Sequence, residues 1–520
     1  MKNTRLNGYG NILAALFIFI ATGVPVASAQ KKAKNVILLI GDGMGPQQYA
    51  MVMNYARLAP QSKIKKLNLE RLLSKGEMGL MLTYAKDAIV VDSAASATQL
   101  SLGLVSGSEM IGLDYKGNSH KTILEKARDA GKATGLVSDT RLTHATPAAF
   151  AAHQPHRSWE NEIAADMLKA NVDIMLSAGL RNFIPSSVNE LNSPAYAKYK
   201  AIIPKHIPLG SKRKDKRDLL EEAKKSGYSL AFDRQTLLTT KSTKILGLFD
   251  SAEMPNGIAE FQSESNPNRP HPTLNEMARV AIDKLSQDKD GFFLMIEAGQ
   301  IDWAAHANDA GTMLHQLLQF DKTIGYVLDW AEKDGDTLVV LTADHETGSF
   351  GFSYSSHNVP EPQKIDGDGF KNAKFSPNYN FGPIQLLDKL YNQKKSYTQV
   401  VREFEALGNN YQTPEKFMKM VNEVSDFAIS LDDAKQVLAP LNGKYYVHDF
   451  KDFYVYEENH RENRLARVLA RQQNIVWGTG THTATPVAVT AFGPKHLSSQ
   501  FKGIHHSSEV GAMLQSAMGL

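Results

Sequence analysis

The sequence predicts an α/β protein with a mostly parallel central sheet flanked by helices on both faces, and three observations carry that expectation. Short, wholly apolar runs recur along the chain, as strands buried on both faces require. Segments of helical spacing alternate with them in the order that builds parallel sheets. Between residues 349 and 474 the alternation gives way to charged helical segments mixed with aromatic stretches, which marks a large insertion.

Taken in order, the first 29 residues stand apart. Lys2 and Arg5 precede an apolar run over 12–21, and Ala27-Ser28-Ala29 precedes Gln30, the pattern of a secretory signal peptide cleaved after Ala29. The run is shorter than the roughly 20 residues a membrane span needs, and no other segment approaches that length. A soluble mature protein without a membrane span is therefore expected, periplasmic or secreted. Residues 35–40 then read as a buried strand ending at Gly41-Asp42-Gly43. A helix over 121–132 leads to a strand over 133–137, a helix over 273–285 to a strand at 292–296, and a helix over 313–331 to a strand at 337–341. A last apolar strand covers 486–492. Residues 30–348 and 475–520 thus form one domain, and 349–474, with helices at 414–424 and 431–438, form a subdomain or lid. The basic cluster 212–217 reads as a solvated loop or as a surface for an anionic partner.

Composition narrows the chemistry. The chain has 520 residues, 42% of them hydrophobic, and a net charge of +3, so nothing argues for a nucleic-acid partner. Cysteine is absent, which excludes disulfides, thiolate metal sites and cysteine catalysis, and leaves His, Asp, Glu and hydroxyl oxygen to bind any metal.

Candidate ligands fall at the ends of the apolar strands, where open α/β sheets place their crevice. Asp302 and His306, four apart, share one face of a helix and can grip one ion. Asp344 and His345 follow the strand at 337–341 closely, Asp42 follows the first strand, Glu297 ends the strand at 292–296, and His482 lies just before the last strand. In the small-residue segment Asp92-Ser93-Ala94-Ala95-Ser96-Ala97-Thr98, Ser93 is placed at or near a helix N-terminus. That position suits a bound phosphate or, equally, a helix cap.

Together these blocks resemble the alkaline phosphatase family: Ile40-Gly41-Asp42-Gly43-Met44-Gly45, the segment around Ser93, Thr143-His144-Ala145-Thr146-Pro147, Glu297 with Asp302 and His306, Thr342-Ala343-Asp344-His345-Glu346-Thr347-Gly348, and His482-Thr483. The match runs over about 35–350 and 476–520. The resemblance implies an alkaline-phosphatase-like fold with the insertion near the active-site side, and two Zn2+ and one Mg2+ per chain. Asp302, His306 and His482 would hold one zinc, and Asp42, Asp344 and His345 the other. Asp42 would bridge to a magnesium completed by Thr146 and Glu297. Ser93 becomes the nucleophile of a phosphomonoesterase working through a phosphoserine, and Arg157 a phosphate-binding fork. His144 and Trp303 occupy two positions that vary within the family. His144 would support the third site from behind or recruit a softer divalent ion to it, and Trp303 would replace a charged phosphate contact with an indole, or simply pack at the site wall.

The resemblance implies small-molecule phosphomonoesters as substrates and is compatible with a homodimer. A phosphodiesterase of the same superfamily and a non-catalytic exported phosphate- or metal-binding protein are the rivals. Serine at 93, where many of those phosphodiesterases carry threonine, and the complete nucleophile segment weigh against them.

Overall fold

A computed structural model describes residues 32–439 and 454–520. The expected signal peptide and its cleavage site lie outside the described residues. In chain order the strands of the main sheet are β1 (Asn35–Gly41), β2 (Glu77–Leu82), β3 (Ala133–Arg141), β4 (Ile174–Ala178), β5 (Ser229–Ala231), β6 (Ile245–Leu248), β7 (Phe292–Ala298), β8 (Thr337–Thr342), β9 (Val487–Phe492) and β10 (Gly503–His506). They lie side by side as β10-β2-β9-β8-β1-β7-β3-β4-β6-β5. Only β9 runs against its neighbours, β2 and β8; every other pairing is parallel. The sheet is flanked by helices, as the sequence predicts.

The central strands are apolar along their whole length because both faces are covered: every residue of β1, β7 and β8 is buried. The outer strand β2 instead alternates, with Met78 and Leu80 exposed. That alternation, and the brevity of β4, β5, β6 and β10, hide these five strands from a reading of the sequence.

Helix ends follow local chemistry. Thr273 caps Leu274–Leu285, its hydroxyl accepting from Glu276 N while the Glu276 carboxylate reaches back to Thr273 N. Asp309 caps the 25-residue helix Ala310–Asp334, which ends at Gly335 with φ +78°.

Register positions the site. β1 lies between β7 and β8, with Ile40 opposite Glu297 on one side and Thr342 on the other. The chain leaving β1 at Asp42 and leaving β8 at Asp344 therefore emerges on the edge where Glu297 stands. Because β9 is reversed, its beginning lies on that same edge, and this brings His482 there.

Residues 349–474 contribute the helices Gln385–Tyr391, Tyr397–Glu405, Pro414–Val424, Leu431–Leu438 and His460–Gln473. Their buried Val400, Phe404, Phe417 and Leu469 belong to one apolar core with the sheet residues. The basic cluster at 212–217 is a loop, but it is not uniformly solvated. Arg213 is buried and holds Asp215 with two parallel hydrogen bonds, while its Nη1 donates to the carbonyls of Asn161 and Asn182. This arginine pins a loop and is not free for an anionic partner.

Candidate active site

Ser93 is the first residue of the helix Ser93–Leu102 and is buried. Its neighbour Asp92 caps that helix, accepting from Ala94 N at 3.0 Å and Ala95 N at 3.4 Å. Asp92 also receives Arg157 Nη1 at 3.1 Å, so one carboxylate fixes both the helix start and the guanidinium. The Arg157 backbone is tied down by donation from its N–H to Glu109 O at 2.8 Å. The other arm, Nη2, faces His144 Nε2 at 3.3 Å. Guanidinium only donates, so His144 accepts through Nε2. Burial and the nearby Arg141 and Arg157 push the His144 imidazole well below its ordinary pKa, which keeps it neutral.

Asp302 and His306 lie on the helix Gln300–His306, as their spacing predicts, with Asp302 Oδ2 and His306 Nε2 3.2 Å apart. The start of that helix is anchored by Asp139, which accepts from Gly299 N at 2.6 Å and Gln300 N at 3.2 Å. Gly43 has φ +68°, and a Cβ there would come within 2.9 Å of Asp302 Oδ1. Glycine just after β1 thus lets the helix that carries Asp302 and His306 approach closely.

The histidine tautomers follow from their partners. His306 Nδ1 meets the carbonyl of Gly480 at 2.7 Å and His482 Nδ1 that of Val91 at 2.9 Å, so in each ring Nδ1 carries the proton. Thr347 gives its hydroxyl proton to Asp302 Oδ1 and accepts from His345 Nδ1 at 3.2 Å. All three Nε2 lone pairs consequently face inward, and those of His306 and His482 stand only 3.1 Å apart. His345 Nε2 lies 3.0 Å from Ser93 Oγ, 3.2 Å from Asp344 Oδ2 and 3.5 Å from Asp42 Oδ1. Lone pairs gathered this closely repel one another unless a cation or proton sits among them.

The carboxylates tell the same story. Burial, then the charges of Asp344, Asp302 and Glu297, push Asp42 well above the usual carboxylate range. Burial pushes Glu297 up to about 7, against the pull of hydroxyls from Ser138 and Thr140. Asp302 is held well below its ordinary value, because His306 and His482 outweigh its burial. Both Asp42 oxygens, Asp344 Oδ2, Glu297 Oε1, Thr146 Oγ1 and His144 Nδ1 are buried without a hydrogen-bond partner among the described residues. Buried polar atoms are seldom left so, and divalent ions fit the oxygen atoms of this set; His144 Nδ1 carries the ring proton while Nε2 accepts from Arg157, and joins them only if that hydrogen bond is given up. Three groups have ligand atoms close enough to hold a metal: Asp302, His345 and His482; Asp42, Asp344 and His345; and Asp42, His144 and Glu297.

These residues open onto a cavity of about 740 Å³ that Ser93, His144, Arg157, Asp302, Trp303 and His306 help to line. Trp303 stands edge-on to His144, ring centres 5.7 Å apart. Reading the sequence does not find Asp92, Asp139, Thr347 or Tyr456. Asp92 lies inside the small-residue segment before Ser93–Leu102 and carries a capping signal that could have found it. Tyr456, from the 349–474 stretch, also lines the cavity, and burial followed by the charge of Asp302 raises its phenol to about 12.

Comparison with known proteins agrees with this geometry. The family model "Alkaline phosphatase" matches residues 33–520, including the 349–474 stretch. Alkaline phosphatase 3 of Bacillus subtilis is 32% identical over 518 residues, covering 96% of this chain and 94% of its own. The repressible alkaline phosphatase of Saccharomyces cerevisiae is 29% identical, covering 98% and 86% respectively. The crystal structure of Thermus thermophilus alkaline phosphatase superposes with a TM-score of 0.75 at 25% identity, covering 95% of this chain and 93% of that one. With its fold, its clustered carboxylates and imidazoles and these relatives in agreement, the chain belongs to the alkaline phosphatase family and is a phosphatase.

Proposed function

We propose that the protein hydrolyses phosphate monoesters to an alcohol and inorganic phosphate, with Ser93 as nucleophile and a phosphoserine as intermediate. The observation that carries this reading is the placement of Ser93 Oγ: at a helix N-terminus, beside His345, on the floor of the cavity that Arg157 also lines. A Ser–His pair acting without metal is a poorer account. The outer nitrogen of His345 is held by a threonine and not by a carboxylate, and Nε2 is crowded by Asp344 and Asp42.

In this reading Asp302, His306 and His482 hold one zinc ion, and Asp42, Asp344 and His345 a second. Asp42, Thr146 and Glu297 would hold magnesium, or a softer divalent ion if His144 gives up its bond to Arg157 and supplies Nδ1. Bound ions supply positive charge for the phosphoryl oxygens and lower the pKa of a hydroxyl placed on them. The chain's own groups do the rest. Ser93 Oγ bonds to phosphorus as the ester P–O bond breaks and the alcohol leaves. Water then attacks from the opposite side, the Oγ–P bond breaks, and phosphate departs. Arg157, oriented by Asp92, offers its remaining N–H groups to phosphoryl oxygens, and the positive end of the dipole of the helix Ser93–Leu102 favours the same anion.

The insertion, which brings Tyr456 and Arg402 to the cavity, would act on the alcohol side. The signal pattern over 1–29 supports export to the periplasm or beyond the cell; among the described residues no helix is long and apolar enough to cross a membrane.

Ser93→Ala tests the reading. Turnover of a chromogenic phosphomonoester should fall by several orders of magnitude, and acid quenching with labelled substrate should no longer yield phosphoserine, while zinc content stays near that of the wild type. Label recovered on another residue would overturn it.

A further inference from the structure

With the phosphoryl group held at Ser93 and Arg157, the alcohol moiety of the ester points outward into the cavity that these residues line. Two rings border that path. Trp303 lies one helical turn before His306 on the same helix, and Tyr456 packs on the His306 ring itself, centres 4.7 Å apart and planes at 59°. Tyr456 is held in place from both sides. The carbonyl of Tyr454 accepts from Gly480 N at 2.8 Å and Thr479 Oγ1 at 3.0 Å, which ties the segment to the loop leading to His482. From the helix that follows, Asn463 Nδ2 donates to His306 O at 2.7 Å. Tyr456 is 36% exposed and lines the cavity, so it has surface to offer a ligand there.

We infer that Tyr456 is a specificity-determining wall for the leaving group, favouring phosphate monoesters of flat, aromatic alcohols over those of short aliphatic ones. The inference rests on the reading of Ser93 as nucleophile, since that fixes where the alcohol moiety must lie. A flat ring resting on Tyr456 gains stacking and apolar burial that an ethyl group cannot match, an effect of about fivefold. The hydroxyl is not required, so phenylalanine should serve as well.

The test compares phenyl phosphate with ethyl phosphate on the full-length, metal-loaded enzyme. The intrinsic reactivity of the two esters cancels when the ratio of their kcat/KM values is compared between proteins. In Tyr456→Leu and Tyr456→Ala, either of which suffices, that ratio should fall about fivefold. Tyr456→Phe should keep it, and the inhibition constant of inorganic phosphate and the zinc content should not move. An unchanged ratio overturns the inference. So does a phosphate inhibition constant that rises together with both Michaelis constants, because Tyr456 would then serve the phosphate site. Acid trapping on the wild type separates the two levels. Absence of label on Ser93 sinks the nucleophile reading, whereas label on Ser93 with an unchanged ratio sinks only the role of Tyr456.

Discussion

Single residues decide how tightly this site would hold phosphate and metal. Trp303 presents an indole where a charged group would attract the anion, and its edge rests on the neutral His144. Trp303→Lys should therefore lower both the Michaelis constant and the phosphate inhibition constant while slowing turnover at saturation. Uniform binding of substrate and product does not help the chemical step, and product release limits many enzymes. An unchanged or weaker phosphate constant would assign Trp303 to packing alone. Glu297 is one of the buried carboxylates, with Asp42 and Asp139, that impose a pH dependence on the metal-free protein. Burial raises its folded-state pKa to about 7 from the usual 4.5. The stability it contributes is full below pH 4.5 and is lost as pH rises through 7. Chelated Glu297→Gln should match the chelated wild type near pH 4 and exceed it above pH 7, read from urea unfolding at each pH. Equal stability across that range would contradict the assignment. Most of these residues are legible in the sequence because their types and spacings are chemically narrow. Asp139 and Thr347 are not, since an acid that anchors a helix and a hydroxyl that relays between a histidine and an aspartate look ordinary until the fold brings them together.

At the scale of elements, the turn after β1 sets the approach of the helix Gln300–His306. A side chain at position 43 would meet Thr347 Oγ1 at 2.8 Å, Asp302 Oδ1 at 2.9 Å and the Asp302 backbone at 3.0 Å, and the left-handed φ adds roughly 1–2 kcal/mol of strain. Gly43→Ala should lower zinc content and activity together while the circular dichroism spectrum stays that of a folded protein. Full metal occupancy in the variant would mean that the helix can retreat without cost to its ligands. The central strands are readable because burial on both faces makes them apolar throughout, and the helix at 273–285 because a threonine and a glutamate frame its start. β4, β5 and β6 escape notice because three to five residues are too few to show a period. β2 escapes because its exposed Met78 and Leu80 make an alternating pattern look like a uniform one.

For the whole molecule, the order of residues in sequence and their order in space are unlike each other. Asp42 and Ser93 come early, Glu297, Asp302, His306, Asp344 and His345 in the middle, and His482 near the end, yet all reach one edge of one sheet. That the site lies on that edge is legible from strand ends. That His482 joins it depends on the reversal of β9, which no local pattern announces. The reversal has a consequence in time. A chain synthesised or exported amino end first holds most of the proposed metal ligands long before His482 exists to close the set. Pairings this distant form late in folding, so tight zinc capture should coincide with the last folding phase and not precede it. Refolding with a zinc-sensitive dye should show metal uptake in step with the slowest recovery of tryptophan fluorescence; uptake that outruns it would mean that the partial set already suffices. Metal capture would then act as a receipt for a nearly finished fold, issued only once β9 has docked against the direction of its neighbours.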